Sequence, residues 1–246
     1  MSKNIRLETT SASLHLIAMV CMLCDHLWAT IVPGNDWLTC IGRIAFPIFA
    51  FLLVEGFRHT RNLKNYIQRL LLAAIASEIP FNLMVSGNLF FPFHQNVLWT
   101  FLIAIGMLSV NEKCRSEAIP KRIAVAVTTV VLGALAGVIT FADYLHVGVL
   151  TVLVFYFFRG RSWICFVCQS LCLYWLNFEI LGGLVYEIPL ADTTLAIPRQ
   201  GFALLSLIPI WLYSGCRGYH SKVLQWFCYL FYPLHMLILY LLSVIF

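Results

Sequence analysis

The stretch MLCDHLWAT, residues 22–30, sets Asp25 beside His26 inside a run otherwise fit for hydrocarbon. An imidazole has an ordinary pKa near neutrality, so it can take and return a proton as a general base. Further ionisable residues interrupt the apolar runs that follow: Arg43, Glu55 and Glu78, the last in SEIPFN with Pro80 and Asn82. An ionised side chain deep in a bilayer costs about 2.5–3.5 kcal/mol on insertion scales, so such residues mark functional sites by default. Helical rise sets Asp25, His26, Arg43 and Glu78 about 8–12 Å below one membrane boundary. If their faces converge, they form one buried network of two acids, an imidazole and a guanidinium able to stabilise an oxyanion or hold a carboxylate.

Neighbours at i and i+1 on a helix point apart. Asp25 is therefore not expected to hold His26; Glu78 or a residue of another helix takes that place. Asn82, Asn96 and His235 (in FYPLHML) are the polar residues expected to meet a substrate. A single histidine such as His235 equally suits a hydrogen bond between helices, made easier by the carbonyl that Pro233 frees. The same polar residues also fit two rival roles. One is the proton relay of a proton-coupled transporter, formed by Asp25, His26, Glu78 and His235; the other is a network that only specifies helix packing.

These residues need a scaffold, and composition names it. Of 246 residues, 61% are hydrophobic and 11% charged, against about 25% charged in soluble domains. A chain of this size cannot hide that much apolar surface from water. The expectation is an all-α, polytopic integral membrane helix bundle formed by residues 1–246 as a single domain. Nine apolar stretches approach span length: roughly 13–32, 38–57, 65–85, 96–110, 121–141, 145–158, 162–178, 200–214 and 223–245. The count carries a range of 8–10, since residues 179–199 have room for a further half-helix. The first stretch lacks a cleavage site and reads as a retained span rather than a signal peptide.

Basic residues collect on cytoplasmic loops. Numbering sides alternately, one side receives Lys3, Arg6, Arg58, Arg61, Lys64, Arg69, Lys113, Arg115, Lys121, Arg122, Arg159, Arg161, Arg217 and Lys222, which is 14 of the 16 basic residues. The other receives Arg43 and Arg199, with Asp36, Asp143, Glu179, Glu187 and Asp192. The N-terminus is therefore expected in the cytoplasm and the chain in a plasma or inner membrane as a multi-pass protein. The excess of positive charge is a topology signal, and nucleic acid is not an expected partner. The nine cysteines lie mostly within apolar runs and read as reduced, buried hydrophobes; no metal site is expected.

The stretch LHLIAMVCMLCDHLWATIVP, followed by IGRIAFPIFAFLLVEGFRHTRNLKNYIQRLLLAAIASEIPFN, closely resembles the TraX family, named for the F-pilin acetylase of conjugation systems. ADYLHVGVL and FYPLHMLILYL resemble its later segments, so the likeness spans nearly the whole chain. That family in turn resembles integral membrane acyltransferases of the acyltransferase-3 type, whose first helix carries R-x-x-A, then seven residues, then a histidine. Ala18 and His26 fall on those positions, while His15 stands in the arginine's place. The resemblance implies that His26 is catalytic, with Asp25, Arg43, Glu55 and Glu78 around it, and that acetyl-CoA is the donor. The implied acceptor is an amine or hydroxyl of a protein, glycan or lipid-linked molecule. A polyanionic donor would dock against Glu55, Arg58, Arg61, Lys64 and Arg69 and thread its thin arm toward His26.

The parse makes a direct demand on topology. Phosphatase fusions truncated after Asn62 and after Phe90 should report opposite sides of the membrane, inactive and active respectively. Equal activity at both sites would refute the alternation.

Overall fold

A computed structural model of the chain describes residues 8–190, 193–219 and 221–245. Lys3, Arg6 and Asp192, which entered the charge parse, lie outside these residues. Among the described residues, ten α-helices build a bundle: α1 (Ser11–Thr30), α2 (Asp36–Gly42), α3 (Ala45–His59), α4 (Leu63–Ser86), α5 (Val97–Lys113), α6 (Ile119–Ile139), α7 (Leu145–Phe157), α8 (Trp163–Tyr174), α9 (Leu207–Trp211) and α10 (Lys222–Ile245).

Local chemistry sets their ends. Thr10 and Ser13 open α1 as a reciprocal capping box, and Asn62, Asn96 and Ser162 cap α4, α5 and α8. Gly87 closes α4 at φ 69°, a left-handed turn that suits glycine. The second apolar stretch breaks into α2 and α3 at Arg43 and Ile44. Pro47 has no N–H to give the Arg43 carbonyl, so the helix must restart there. The break releases Arg43 from a regular helix in the middle of the stretch.

Among the described residues, six segments are long and apolar enough to cross a membrane: Ser11–Thr30, Asp36–His59, Leu63–Ser86, Ile119–Ile139, Trp163–Leu181 and Trp226–Ile245. The nine expected spans are therefore not all of full length. Helix α5 has 17 residues and α7 only 13. The eighth expected span is a 3-10 helix (Arg199–Ser206) that runs into the five-residue α9. Among the described residues, 179–199 do not hold the half-helix for which the sequence left room. A π-helical turn (Trp175–Leu181) ends α8, and an antiparallel hairpin follows, β1 (Val185–Leu190) on β2 (Thr193–Pro198). Gly182 and Gly183 take positive φ there, and the run after them is rich in β-branched residues and holds two prolines, which suit strands better than a helix.

The elements meet at two ends. At one, Thr9 and Ser11 bond to the backbone of Leu212 and Cys216, Arg58 meets Glu112, Arg159 meets Glu55, and Arg161 meets the Tyr213 carbonyl. At the other, Gln95 pairs with Phe141 and Asp143, His94 with Asp143, and Arg199 with Asp36. The described basic residues that the charge parse put on one side thus gather at the first, basic end, and Arg199 sits at the opposite one. Between them Leu14, Ala18, Ile48, Val54, Ile105, Leu108, Val149, Val152 and Phe155 form a buried core on α1, α3, α5 and α7.

Two features fix the opposite end. Gly42 lies so close to α1 that a Cβ on it would overlap the Cβ, Cγ and Oδ1 of Asp25. Gly42→Ala should therefore push α2 off α1 and lower stability by about 1–3 kcal/mol; an unchanged unfolding midpoint would show that the contact can relax freely. His94 clamps the α4–α5 loop to the α6–α7 turn through Asp143, 3.2 Å away. That hydrogen bond, opposed by partial burial, raises its pKa above 6.5. A raised pKa means the clamp stabilises fully below the ordinary histidine value and is lost as pH rises through the folded value. Thermal midpoints measured from pH 5.5 to 8 should carry this fall, and His94→Gln should flatten it; an identical slope in the variant would remove His94 as its source.

Candidate functional site

The side chain facing His26 comes from the far end of the sequence. Helix α10 packs on both α1 and α4 and sets His235 Nε2 2.6 Å from His26 Nδ1, with the two rings parallel. His235 is buried. Its Nδ1 lies 2.6 Å from the carbonyl of Phe231. A carbonyl only accepts, so His235 Nδ1 carries the hydrogen. In two neutral rings His235 Nε2 is then the acceptor and His26 Nδ1–H the donor. His26 Nε2 is left with a free lone pair and has no hydrogen-bond partner among the described residues. The partner of His26 on another helix is thus His235, and Glu78 does not take that place.

Asp25 points to the other side, as its position next to His26 on the helix requires. Its Oδ1 accepts from Arg43 Nη2 at 2.6 Å and from Thr39 Oγ1 at 2.6 Å. Arg43 also donates from Nη2 to Thr39 Oγ1 at 2.9 Å and from Nη1 to Gln200 Oε1 at 3.4 Å. Gln200 donates on to Asn177 Oδ1 at 3.0 Å, and Asn177 to the Leu173 carbonyl at 2.7 Å. The π-turn and the 3-10 helix thus both bear on Arg43. Asp25 and Arg43 are about one-fifth exposed. Removing either partner of a pair so placed leaves an uncompensated charge, at a cost of about 3–5 kcal/mol.

Above this pair the hairpin end is tied down. Arg199 Nη2 meets Asp36 Oδ2 at 2.6 Å, Trp28 Nε1 donates to Asp36 Oδ1 at 3.1 Å, and the Arg199 guanidinium lies over the Trp28 ring. Trp28 is only two residues beyond His26.

Glu78 belongs to a separate cluster, a correction to the single four-residue network expected from the sequence. Its Oε2 accepts from Asn96 Nδ2 at 2.5 Å and Trp99 Nε1 at 2.9 Å, while its Oε1 is buried without a partner. Equal depth along parallel helices does not make faces converge, and α4 turns Glu78 toward α5. Asn96 is held at three points: it caps α5 and donates to both Glu78 and the Ala74 carbonyl. Asn82 donates weakly to the Leu89 carbonyl, leaving its own Oδ1 buried and unpartnered. Tyr232 lies one turn before His235, its ring 6.0 Å from the imidazole.

The basic residues divide. Glu55 is buried and bonded by Arg159 Nε at 2.6 Å, with His59 at 3.4 Å. Arg58 meets Glu112 at 2.5 Å. Arg61, Lys64 and Arg69 are exposed, Arg69 bonding only the Asn65 carbonyl on its own helix.

Two cavities open at this end. One, of about 360 Å³, is mainly apolar and lies between α1, α3, α4, α5 and α10. Its lining runs from Ser11, His15 and Arg217 to Met22, Phe231 and Tyr232. Met22 and Phe231 stand one turn before His26 and His235. Tyr66 and Leu70 of α4 line this cavity, whereas Arg61, Lys64 and Arg69 do not.

Sequence reasoning missed Thr39, Asn177 and Gln200. Thr39 was legible as the residue one turn before Arg43, on the same helical face. The two amides carried a weaker signal, being neutral polar residues in apolar surroundings.

No solved structure matches the chain. A probable fimbrial assembly protein, FimC of serogroup H1 from Dichelobacter nodosus, is 31% identical over 134 residues, which is 50% of this chain and 53% of that relative. The chain thus spans about half the length of this curated relative. The family model described as TraX protein matches residues 10–243, a stretch that holds Asp25, His26, Arg43, Glu78 and His235 together. This membrane protein therefore belongs to the TraX family.

Proposed function

We propose that the chain is an integral membrane acyltransferase that moves an acetyl group from cytoplasmic acetyl-CoA to an amine or hydroxyl acceptor at the opposite face. The carrying observation is the free lone pair of His26 Nε2, set by His235, one helical turn beyond Met22 and Phe231, which line an apolar cavity that starts at the basic end. The pilus-related naming of both the family and the fimbrial relative agrees with a protein acceptor.

The chemistry follows from the residues. The positive-inside rule puts the basic end, and with it the N-terminus, in the cytoplasm. Arg61, Lys64 and Arg69 supply an attractive field for a polyanion, and Arg217 stands at the cavity mouth. A pantetheine arm is thin and mostly apolar, a match for walls of Leu52, Leu53, Phe101 and Phe231. The acceptor loses its proton to His26 Nε2 as its nitrogen or oxygen attacks the thioester carbonyl. The tetrahedral oxyanion collapses, the C–S bond breaks, and the CoA thiolate takes the proton back from the imidazolium. During the step the charge on His26 is shared across Nδ1–H to the acceptor nitrogen of His235. Asp25 and Arg43 hold α1 in register by pairing one residue away, which makes them positioning residues for His26.

Purified protein with radiolabelled acetyl-CoA and a panel of peptide and glycan acceptors tests this. Transfer should be measurable with the wild type and fall at least about 100-fold in His26→Ala, the low end of a general-base contribution. His235→Gln, which offers a carbonyl oxygen to His26 Nδ1–H, should retain more activity than His235→Leu. Full transfer by His26→Ala, or proton-driven solute uptake in vesicles with no CoA binding, would overturn the proposal.

A further inference from the structure

The second cavity, about 630 Å³, lies between the basic ends of α3, α5, α6 and α7, across α3 from the apolar one. Four arginines line it: Arg58, Arg115, Arg122 and Arg159. Glu112 is its one lining carboxylate, and it is shared by Arg58 at 2.5 Å, Arg115 at 3.1 Å and the Tyr156 hydroxyl at 3.0 Å. Four cations against Glu112 and, behind Arg159, Glu55 leave a surplus of positive charge. The lysines of the same end, Lys64, Lys113 and Lys121, are outside the lining. The positive-inside rule is satisfied by lysine and arginine alike, whereas planar, forked donors in a concave site suit tetrahedral oxyanions. One wall is apolar, with Ile119 and Ile123 of α6 68% and 59% exposed on the bundle surface. The cavity is therefore open both to the aqueous boundary and sideways to the acyl region.

We propose that this cavity is a phosphate-binding site remote from His26, with Arg115 and Arg122 as its principal donors and the α6 wall fitted to an acyl chain. Phosphate reaches it from an anionic phospholipid headgroup or from a soluble phosphate. Arg58 and Arg159 are partly neutralised by Glu112 and Glu55, so Arg122 and the shared Arg115 have the most charge to give.

Full-length protein in neutral detergent is titrated with short-chain phosphatidylglycerol, phosphatidylcholine or inorganic pyrophosphate, and apparent affinities are read from the shift in unfolding midpoint. Phosphatidylglycerol should stabilise and phosphatidylcholine should not. Arg115→Gln with Arg122→Gln should weaken the effect about 30-fold, and Lys113→Gln with Lys121→Gln less than about threefold. Glu112→Gln should tighten binding by about fivefold, an outcome that misfolding cannot mimic. Stabilisation by pyrophosphate as well assigns a soluble phosphate; a response to the lipid alone assigns a headgroup. No response to either phosphate probe, equal loss in the lysine pair, or weaker binding in Glu112→Gln would overturn the site.

Discussion

A carbonyl oxygen cannot donate a hydrogen bond, and the polarity of the chain Phe231–His235–His26 follows from that fact. Phe231 fixes the hydrogen of His235 on Nδ1, His235 fixes that of His26 on Nδ1, and the lone pair of His26 is directed to Nε2. Helices at opposite ends of the sequence are joined by this contact, since His26 stands on α1 and His235 on α10. Without it His26 would be a polar ring in apolar surroundings with two equivalent tautomers and no preferred task. The proton transfer proposed for the bundle rests on that one hydrogen-bonded pair.

Charge elsewhere in the bundle is paired away from these two rings. Asp25 is adjacent to His26 in sequence yet turned away, and it is occupied by Arg43 and Thr39. Gly42 allows the approach that makes this contact short, and Pro47 breaks the second apolar stretch where Arg43 must leave the regular helix. Gln200 and Asn177 then carry the arginine's remaining donor capacity into the π-turn at the end of α8. Such turns recur where a helix is adapted to function. The hairpin and Arg199 brace the same region from outside through Asp36 and Trp28.

How far the sequence could be read follows from the same physics. Apolar runs and loop charges located the helices and separated their ends, because a membrane imposes length and charge rules on the chain itself. Span lengths were less legible: α7 has 13 residues, and Val185–Leu190 pairs with Thr193–Pro198 as a hairpin because the two preceding glycines, the prolines and the β-branched residues outweigh the apolar character of the run. Among site residues, Asp25 with Arg43 could be inferred from charge and depth. Glu78 could not be separated from them, since depth along an axis is readable from residue counting but rotation about it depends on packing. His235 was visible as a polar residue after a proline, yet its partnership with His26 spans 209 positions and is set only by the way α10 packs on α1.

The most direct test is the nitrogen spectrum of the two imidazoles in ¹⁵N-histidine-labelled protein in lipid, assigned with His26→Gln and His235→Gln. The account requires His26 to carry its proton on Nδ1 and to show an unprotonated Nε2, with a coupling across the Nδ1–H bond to His235 Nε2. A His26 ring protonated at Nε2, or the absence of any coupling between the two rings, would contradict it.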